Sequence, residues 1–127
     1  MSFLYFATSF ILSLMSSFSA KGLLGELEQL VMLALLRLEN EGHAPAVAAE
    51  IEDRAGITLV RGSVYVALDR LERKGYVVSR FGEPTAERGG KAKRLFTVTA
   101  AGRRALVSAE RALSRLRAAP GSARPGK

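Results

Sequence analysis

The segment between residues 61 and 99 constrains the fold of this chain more than any other part. It begins with RGSVYVALDRLERKG, in which apolar residues recur at the spacing of one helix face: Val64, Ala67, Leu68 and Leu71. Two β-rich stretches follow, at residues 76–81 and 94–99, and twelve residues rich in Gly, Lys and Arg separate them. That loop is too long for a tight hairpin turn. The pattern predicts an amphipathic helix beside a hairpin with an extended basic loop.

Charge is distributed unevenly along the sequence. Residues 61–127 carry 16 Lys and Arg against 5 Asp and Glu, whereas residues 21–60 carry 3 against 7. The formal net charge of +7 therefore comes from the C-terminal half. Such a split favours nucleic acid as the partner over an anionic membrane or a merely solvated basic surface.

The residue content excludes most catalytic chemistry. The chain has no Cys and a single His, His43, which falls in an apparent loop and suits a solvated or capping role better than catalysis or metal binding. The acidic residues of the segment 21–60 are spaced as a helix surface and not as a paired site. We therefore expect no catalytic residue, no metal site and no cofactor.

Three further helices are predicted around the central segment. Residues 23–39 are apolar around far more than the ~100° stripe of a core helix, which favours contact with both the core and a partner subunit over complete burial. Residues 46–55 form a short helix with Pro45 at its first position and Gly56 as a left-handed C-cap. Thr99 caps a last helix over residues 100–118.

The last helix is predicted to take part in dimerisation. Two pairs of small or apolar residues are each seven positions apart, which gives a short seam suited to helix packing. Packing against residues 23–39 of the same chain is the alternative. The predicted dimerisation residues lie on the first and last helices: Leu24, Leu36, Leu106, Ala109, Leu113 and Leu116.

Both ends of the chain differ from the rest. Residues 1–20 are apolar and rich in Ser, with no charged side chain. A signal peptide would need a basic N-terminal region, which is absent here. A membrane anchor would need a more uniformly apolar stretch, and this one is interrupted by Ser and Thr. We favour a true translation start at Met15, with a genuine membrane-associated N-terminus as the alternative. Residues 119–127 have the composition of a disordered tail.

These elements together predict a mainly α protein with a small β-hairpin (α+β). The expected architecture is a winged helix-turn-helix DNA-binding domain over residues 21–99, followed by a dimerisation helix over residues 100–118. We expect a cytoplasmic protein that binds double-stranded DNA and a second copy of itself, with no membrane partner unless residues 1–20 are genuine.

Three stretches of sequence, taken in order, resemble the PadR family of bacterial transcriptional regulators over residues 23–116: LLGELEQLVMLALLRL, GSVYVALDRLERKGYV and GEPTAERGGKAKRLFTVTAAGRRAL. The resemblance implies a homodimer that binds a near-palindromic operator and usually represses, with the first and last helices forming the dimer. The single modest C-terminal helix is similar to that of the short family members. A small-molecule effector, of unknown identity, is a further partner that the resemblance implies.

The chain departs from the family pattern at the start of the recognition helix. Family members carry Ser or Thr where this chain has Val60, whose side chain accepts no hydrogen bond from the helix N–H groups. The cap is therefore lost, or it shifts to Thr58 or Ser63. The helix then starts at Arg61 or at Ser63.

Charge and resemblance together place the DNA contacts on the third helix and the hairpin loop. We expect base-edge contacts from the start of the helix: Arg61, Ser63 and Val66. We expect phosphate contacts from residues further round or along it: Tyr65, Arg70 and Lys74. The wing should reach the flanking backbone through Arg88, Lys91, Lys93 and Arg94. As alternatives, Tyr65 closes the core, Arg70 and Arg73 pair with Asp69 or Glu72, and the loop is merely solvated.

Other functions stay open as alternatives. A winged helix that binds another protein needs no basic helix or wing, so the charge of residues 61–127 argues against it. A membrane-tethered regulator depends wholly on residues 1–20. The sequence argues against an enzyme, because it offers no plausible set of catalytic residues.

Overall fold

The computed structural model describes residues 24–83 and 92–120, which form four helices and one two-stranded antiparallel sheet. The elements in chain order are α1 (Glu26–Arg37), α2 (Ala44–Ala55), α3 (Arg61–Arg73), β1 (Val77–Phe81), β2 (Arg94–Val98) and α4 (Ala100–Arg117). The predicted mainly α fold with a small hairpin is confirmed. The predictions on residues 1–20, on Arg88 and Lys91, and on the tail from residue 121 onwards fall outside the described residues.

Helix boundaries differ from the sequence predictions by one to three residues. The first helix ends at Arg37 because Glu39 and Asn40 both adopt positive φ values of 61°, which a right-handed helix does not contain. The second helix starts two residues early, with His43 as its N-cap and Pro45 in the first turn. Proline is tolerated there because its missing N–H would have had no helical partner.

The hydrophobic core lies between the helices and the inner face of the sheet. The apolar stripe predicted for α3 is confirmed, since Val64, Ala67, Leu68 and Leu71 are all buried. Large, fully buried side chains come from α1, α2, α3 and both strands: Met32, Leu35, Val47, Leu68, Leu71, Val77 and Phe96. The core therefore fixes the inner face of α3 and leaves its opposite face outside.

Strand β2 is held on both of its edges. It pairs with β1 on one side, in a register that places Val98 opposite Val77. On the other side, Gly42 and Phe96 exchange two backbone hydrogen bonds of 3.2 and 2.9 Å. The Asn40 amide continues this pairing: its Nδ2 donates to the Val98 carbonyl at 3.2 Å, and its Oδ1 accepts from the Val98 N–H at 2.8 Å. The connection between α1 and α2 thus anchors the hairpin to the helices.

Helix α4 is attached to the sheet through its N-terminus. The predicted Thr99 cap is confirmed, because its Oγ1 accepts from the Gly102 N–H at 3.0 Å. The same hydroxyl donates to the Gly75 carbonyl at 2.7 Å. Gly102 then packs directly on the backbone of Tyr76, with no room for a Cβ atom. The start of α4 is therefore fixed next to the C-terminal end of α3.

Replacing Gly102 with Ala should destabilise the protein, because the added Cβ would overlap the Tyr76 carbonyl oxygen and lie 2.9 Å from Val98 Cγ1. We expect the free energy of unfolding in urea to fall by about 1–3 kcal/mol, the usual cost of overpacking. Gly62→Ala is the matched control, since nothing lies within 4 Å of its Cβ position. Ala favours a helix over Gly, so the control should be as stable as the parent or more so. Equal destabilisation of both variants would contradict the close packing of α4.

Candidate nucleic-acid interface

One side of the first two turns of α3 is open to solvent. Arg61 and Gly62 are exposed, and Tyr65 and Val66 have 44% and 38% of their surface accessible. Tyr65 therefore does not close the core, whereas Ser63 is half-buried. Arg61, Tyr65 and Val66 are thus all accessible at the start of the helix.

This end of α3 has no side-chain cap. The helix begins at Arg61, and its N-cap Val60 is 75% exposed and accepts no side-chain bond. Thr58 does not substitute, since no side chain accepts a capping bond at this end of the helix, and the Thr58 hydroxyl donates to Glu52 Oε1 at 3.3 Å. The Ser63 N–H donates to the Val60 carbonyl at 2.9 Å. Of the predicted outcomes, the cap is lost and not shifted.

The C-terminal end of α3 is engaged with α1. Lys74 Nζ donates to Glu28 Oε2 at 2.7 Å, and the other oxygen of that carboxylate accepts from the Gly25 N–H at 2.9 Å. Glu28 is only 6% exposed, and a buried carboxylate needs a cation or hydrogen-bond donors to offset its lost hydration. The ammonium group of Lys74 thus neutralises Glu28, and this ion pair competes with the predicted contact between Lys74 and DNA phosphates.

Arg70 is only half-exposed, and its Nε atom is buried with no hydrogen-bond partner among the residues described. Within residues 24–83 and 92–120, neither Arg70 nor Arg73 forms an ion pair with Asp69 or Glu72, so that alternative is wrong. Both acidic residues face Arg94 of the hairpin instead. Arg73 is exposed on the last turn of α3.

Arg94 connects the hairpin to α3. Its Nη2 donates to Glu72 Oε1 at 2.6 Å and its Nε donates to Ser79 Oγ at 3.2 Å, while the Ser79 hydroxyl donates to the other Glu72 oxygen at 2.7 Å. The guanidinium also lies over the Phe96 ring, 4.9 Å from its centroid. Arg94 was expected to contact phosphate. Its donors point instead at α3 and β1, so it fixes the position of the wing relative to the helix.

Lys93 is the basic wing residue that stays exposed within the described part of the loop. No acidic side chain from residues 24–83 or 92–120 lies within 4 Å of its ammonium group. The pKa of the nearby His43 lies below its ordinary value, because partial burial and the Lys93 cation both disfavour the protonated imidazole. Lys93 therefore sits near the N-terminus of α2.

Phe81 is an exposed aromatic residue that the sequence reasoning missed. It ends β1 with 70% of its surface accessible, directly opposite Arg94 in the strand register. Alternation along β1 puts it on the same face as Val77 and Ser79, and Ser79 contacts α3. Counting by two from Val77 is the signal that would have placed Phe81 on the side of the sheet that faces α3.

The predicted dimerisation residues divide into two groups. Leu24 and Leu106 are 5% and 4% exposed, so they pack in the core of this chain and offer little surface to a second copy. Leu36 and Ala109 are partly buried against the same core. Leu113 and Leu116 are 40% and 87% exposed on α4, and Leu33 on α1 is 39% exposed. Of the predicted dimerisation residues, Leu113 and Leu116 thus offer the most accessible apolar surface, and both lie on the second half of α4.

Within the ranges 24–83 and 92–120, no group of three His, Asp or Glu residues could hold a metal ion. None of the four helices is long and apolar enough to cross a membrane.

Solved structures share this fold. A PadR family transcription regulator from Clostridium difficile superposes with a TM-score of 0.60 at 20% identity, covering 72% of this chain and 91% of that one. A PadR family regulator from Eggerthella lenta gives 0.57 at 24% identity, covering 91% and 89%. A winged-helix DNA-binding protein from STIV gives 0.57 at 12% identity, covering 70% and 88%. The predicted winged-helix architecture is therefore confirmed.

Comparison with the curated proteins gave no match. The family model described as "Transcriptional regulator PadR-like family" matches residues 32–108, which is more than half of the chain. That range runs from α1 into α4 and contains the whole of α3 and the hairpin. This family consists of DNA-binding regulators and not of enzymes, which confirms the expectation that the chain is not an enzyme. The chain belongs to the PadR-like family of transcriptional regulators.

Proposed function

We propose that this protein is a repressor that binds a near-palindromic operator as a homodimer in the cytoplasm. The observation that carries the proposal is the open surface at the start of α3, where Arg61, Tyr65 and Val66 are accessible and the rest of the helix is held by the fold. A dimer would place one α3 in each of two successive major grooves. The half-sites would then lie one helical turn apart, about 10 bp.

The side chains at the start of α3 suit base reading. Arg61 has a guanidinium fork that can pair with the two acceptors of guanine, and the Val66 side chain can touch a thymine methyl group. Tyr65, which lies beside them, can donate its hydroxyl to a phosphate. Lys74 is left out of the proposed contacts, because its ammonium group is bound to Glu28.

The wing supplies contacts of a different kind. Lys93 is exposed. We propose Arg88 and Lys91, which precede it in the loop sequence, as its companions at the flanking backbone. Lysine binds phosphate as a point charge and carries no base preference. The Arg94–Glu72 pair holds the base of this loop against α3 and so sets where the lysines reach.

The proposed dimer uses the accessible apolar surface of the first and last helices. Leu113 and Leu116 are exposed beyond the point at which α4 leaves the core, and Leu33 is exposed on α1. The second half of α4 is exposed in the described part of the chain, and its apolar side chains would gain stability by packing on a second copy. The separation of the two α3 helices would then depend on α4.

Arg61→Ala should relax the sequence preference of DNA binding, because it removes a bidentate base contact worth about 1–3 kcal/mol of discrimination. The measurement is a binding titration against a duplex selected by the parent protein from a random library, and against a scrambled duplex. Lys91→Gln with Lys93→Gln should instead weaken binding to both duplexes equally. The salt slope should fall by about one unit for each phosphate that the variant no longer neutralises. Unchanged affinity and unchanged slope in the double variant would make the wing assignment wrong.

Glu72→Gln should weaken DNA binding about as much as Arg94→Gln does, since each breaks the pair that positions the wing. We expect a decrease in binding free energy near 1 kcal/mol for either variant, with the salt slope unchanged. If Arg94 contacted a phosphate directly, Arg94→Gln would lower the slope, and Glu72→Gln would tighten binding by removing a negative charge. That opposite pair of results would contradict the positioning role.

Leu113→Asp with Leu116→Asp should give monomers, because a charge buried at an interface without a partner is costly. We expect the dimer dissociation constant to rise at least about tenfold, measured by sedimentation equilibrium. Val107→Asp is the matched control: it lies on the same helix with 45% exposure but away from the Leu113–Leu116 side. The stability of each folded chain should stay unchanged. An equal effect of the control variant, or a stable dimer in the double variant, would overturn the proposed interface.

A further inference from the structure

Helix α4 carries a row of arginines that the proposed operator contacts do not use. Arg104, Arg111 and Arg115 are all exposed. At about 100° and 1.5 Å per residue, these three positions lie within roughly 40° of one another and extend over roughly 16 Å of the helix. They form a straight basic row along one side of α4.

The row lies on the side of α4 opposite Leu106 and Leu113, and Val107 lies beside it. Leu106 is buried in the core and Leu113 is on the same side of the helix, so dimerisation through Leu113 leaves the row open. A homodimer would therefore present two such rows on its outer surface.

Nothing in the described part of the chain neutralises this row. No acidic side chain lies within 4 Å of any α4 arginine in residues 24–83 and 92–120, where the other ion pairs occur. Arg115 suits the negative C-terminal end of the helix dipole, but Arg104, near the opposite end, gains nothing from it. Helix stability alone therefore does not account for the row.

We propose that the Arg104–Arg111–Arg115 row binds the phosphates of a second DNA duplex, so that one dimer holds two DNA segments. This inference rests on the proposed operator binding. Guanidinium groups bind phosphate through paired hydrogen bonds, and a duplex presents a phosphate about every 3.4 Å along each strand. The DNA that contains the operator also supplies a second segment at high effective concentration.

The position of α4 favours a second duplex over the operator itself. Gly102 packs on Tyr76, at the C-terminal end of α3. Arg61 lies at the other end of that helix, about 18 Å away along its axis. Beyond Ala109, every α4 residue is exposed, so the helix extends out of the domain and carries Arg111 and Arg115 with it.

A capture assay tests this inference. An operator duplex, selected by the parent protein from a random library, is fixed to beads and loaded with protein, and a fluorescent duplex of unrelated sequence is then added. The parent protein should capture the second duplex. Arg104→Gln with Arg115→Gln should reduce capture about tenfold or more, since it removes two cations that bind phosphate. Its affinity for the fixed operator should stay within about twofold of the parent, because none of its operator-binding residues is altered.

The control is Arg37→Gln with Arg117→Gln, which removes the same charge from exposed side chains that do not line the surface formed by the row. This control should capture the second duplex as the parent does. An equal reduction in both variants, unchanged capture in the row variant, or equal competition by polyglutamate would overturn the inference. A row variant that also binds the operator more weakly would show that the row touches the operator itself, which overturns it as well. Operator binding without any capture overturns only this inference, whereas failure to bind any selected duplex overturns the proposed function.

Discussion

The pairing of β2 on both of its edges is the constraint on which the rest of the molecule depends. Gly42 and the Asn40 amide pair with one edge of β2, and β1 pairs with the other. This strand therefore joins the connection between α1 and α2 to the hairpin. Because Thr99 follows β2 and caps α4, the same strand also sets the point from which α4 leaves the domain. Strand β2 thus sets the positions of both the wing and the last helix.

One end of helix α3 is bound to the rest of the fold, and its other end is exposed to solvent. Lys74 neutralises the buried Glu28 of α1, and Glu72 binds Arg94 of the hairpin. Within residues 24–83 and 92–120, the side chains of Arg61, Tyr65 and Val66 form no ion pair, and all three are exposed. A DNA-binding surface benefits from a helix that is fixed at one end and exposed at the other, because rigid placement of the helix lowers the entropy lost when its exposed end binds.

The sequence predicted the local features of the fold well and its long-range contacts poorly. Apolar spacing placed all four helices and both strands within a few residues, and Thr99 was recognised as a cap. The partners of Lys74 and Arg94 could not be predicted, because Glu28 and Glu72 lie 46 and 22 residues away along the chain. Apolar spacing also showed that Leu24 and Leu106 face other residues, but not whether those residues belong to the same chain. The positive φ values of Glu39 and Asn40 were not predicted: Asn is enriched in this conformation, but Glu is not.

The central claim is that the first two turns of α3 bind DNA while the other end of the helix stays bound to α1 and the hairpin. Amide hydrogen exchange, measured with and without a selected operator duplex, tests it directly. Exchange should slow at residues 61–66 when DNA is added. It should not change at Tyr76, whose N–H already donates to the Leu71 carbonyl at 2.9 Å. Bound DNA that leaves residues 61–66 unprotected, or that speeds exchange at Tyr76, would contradict the account.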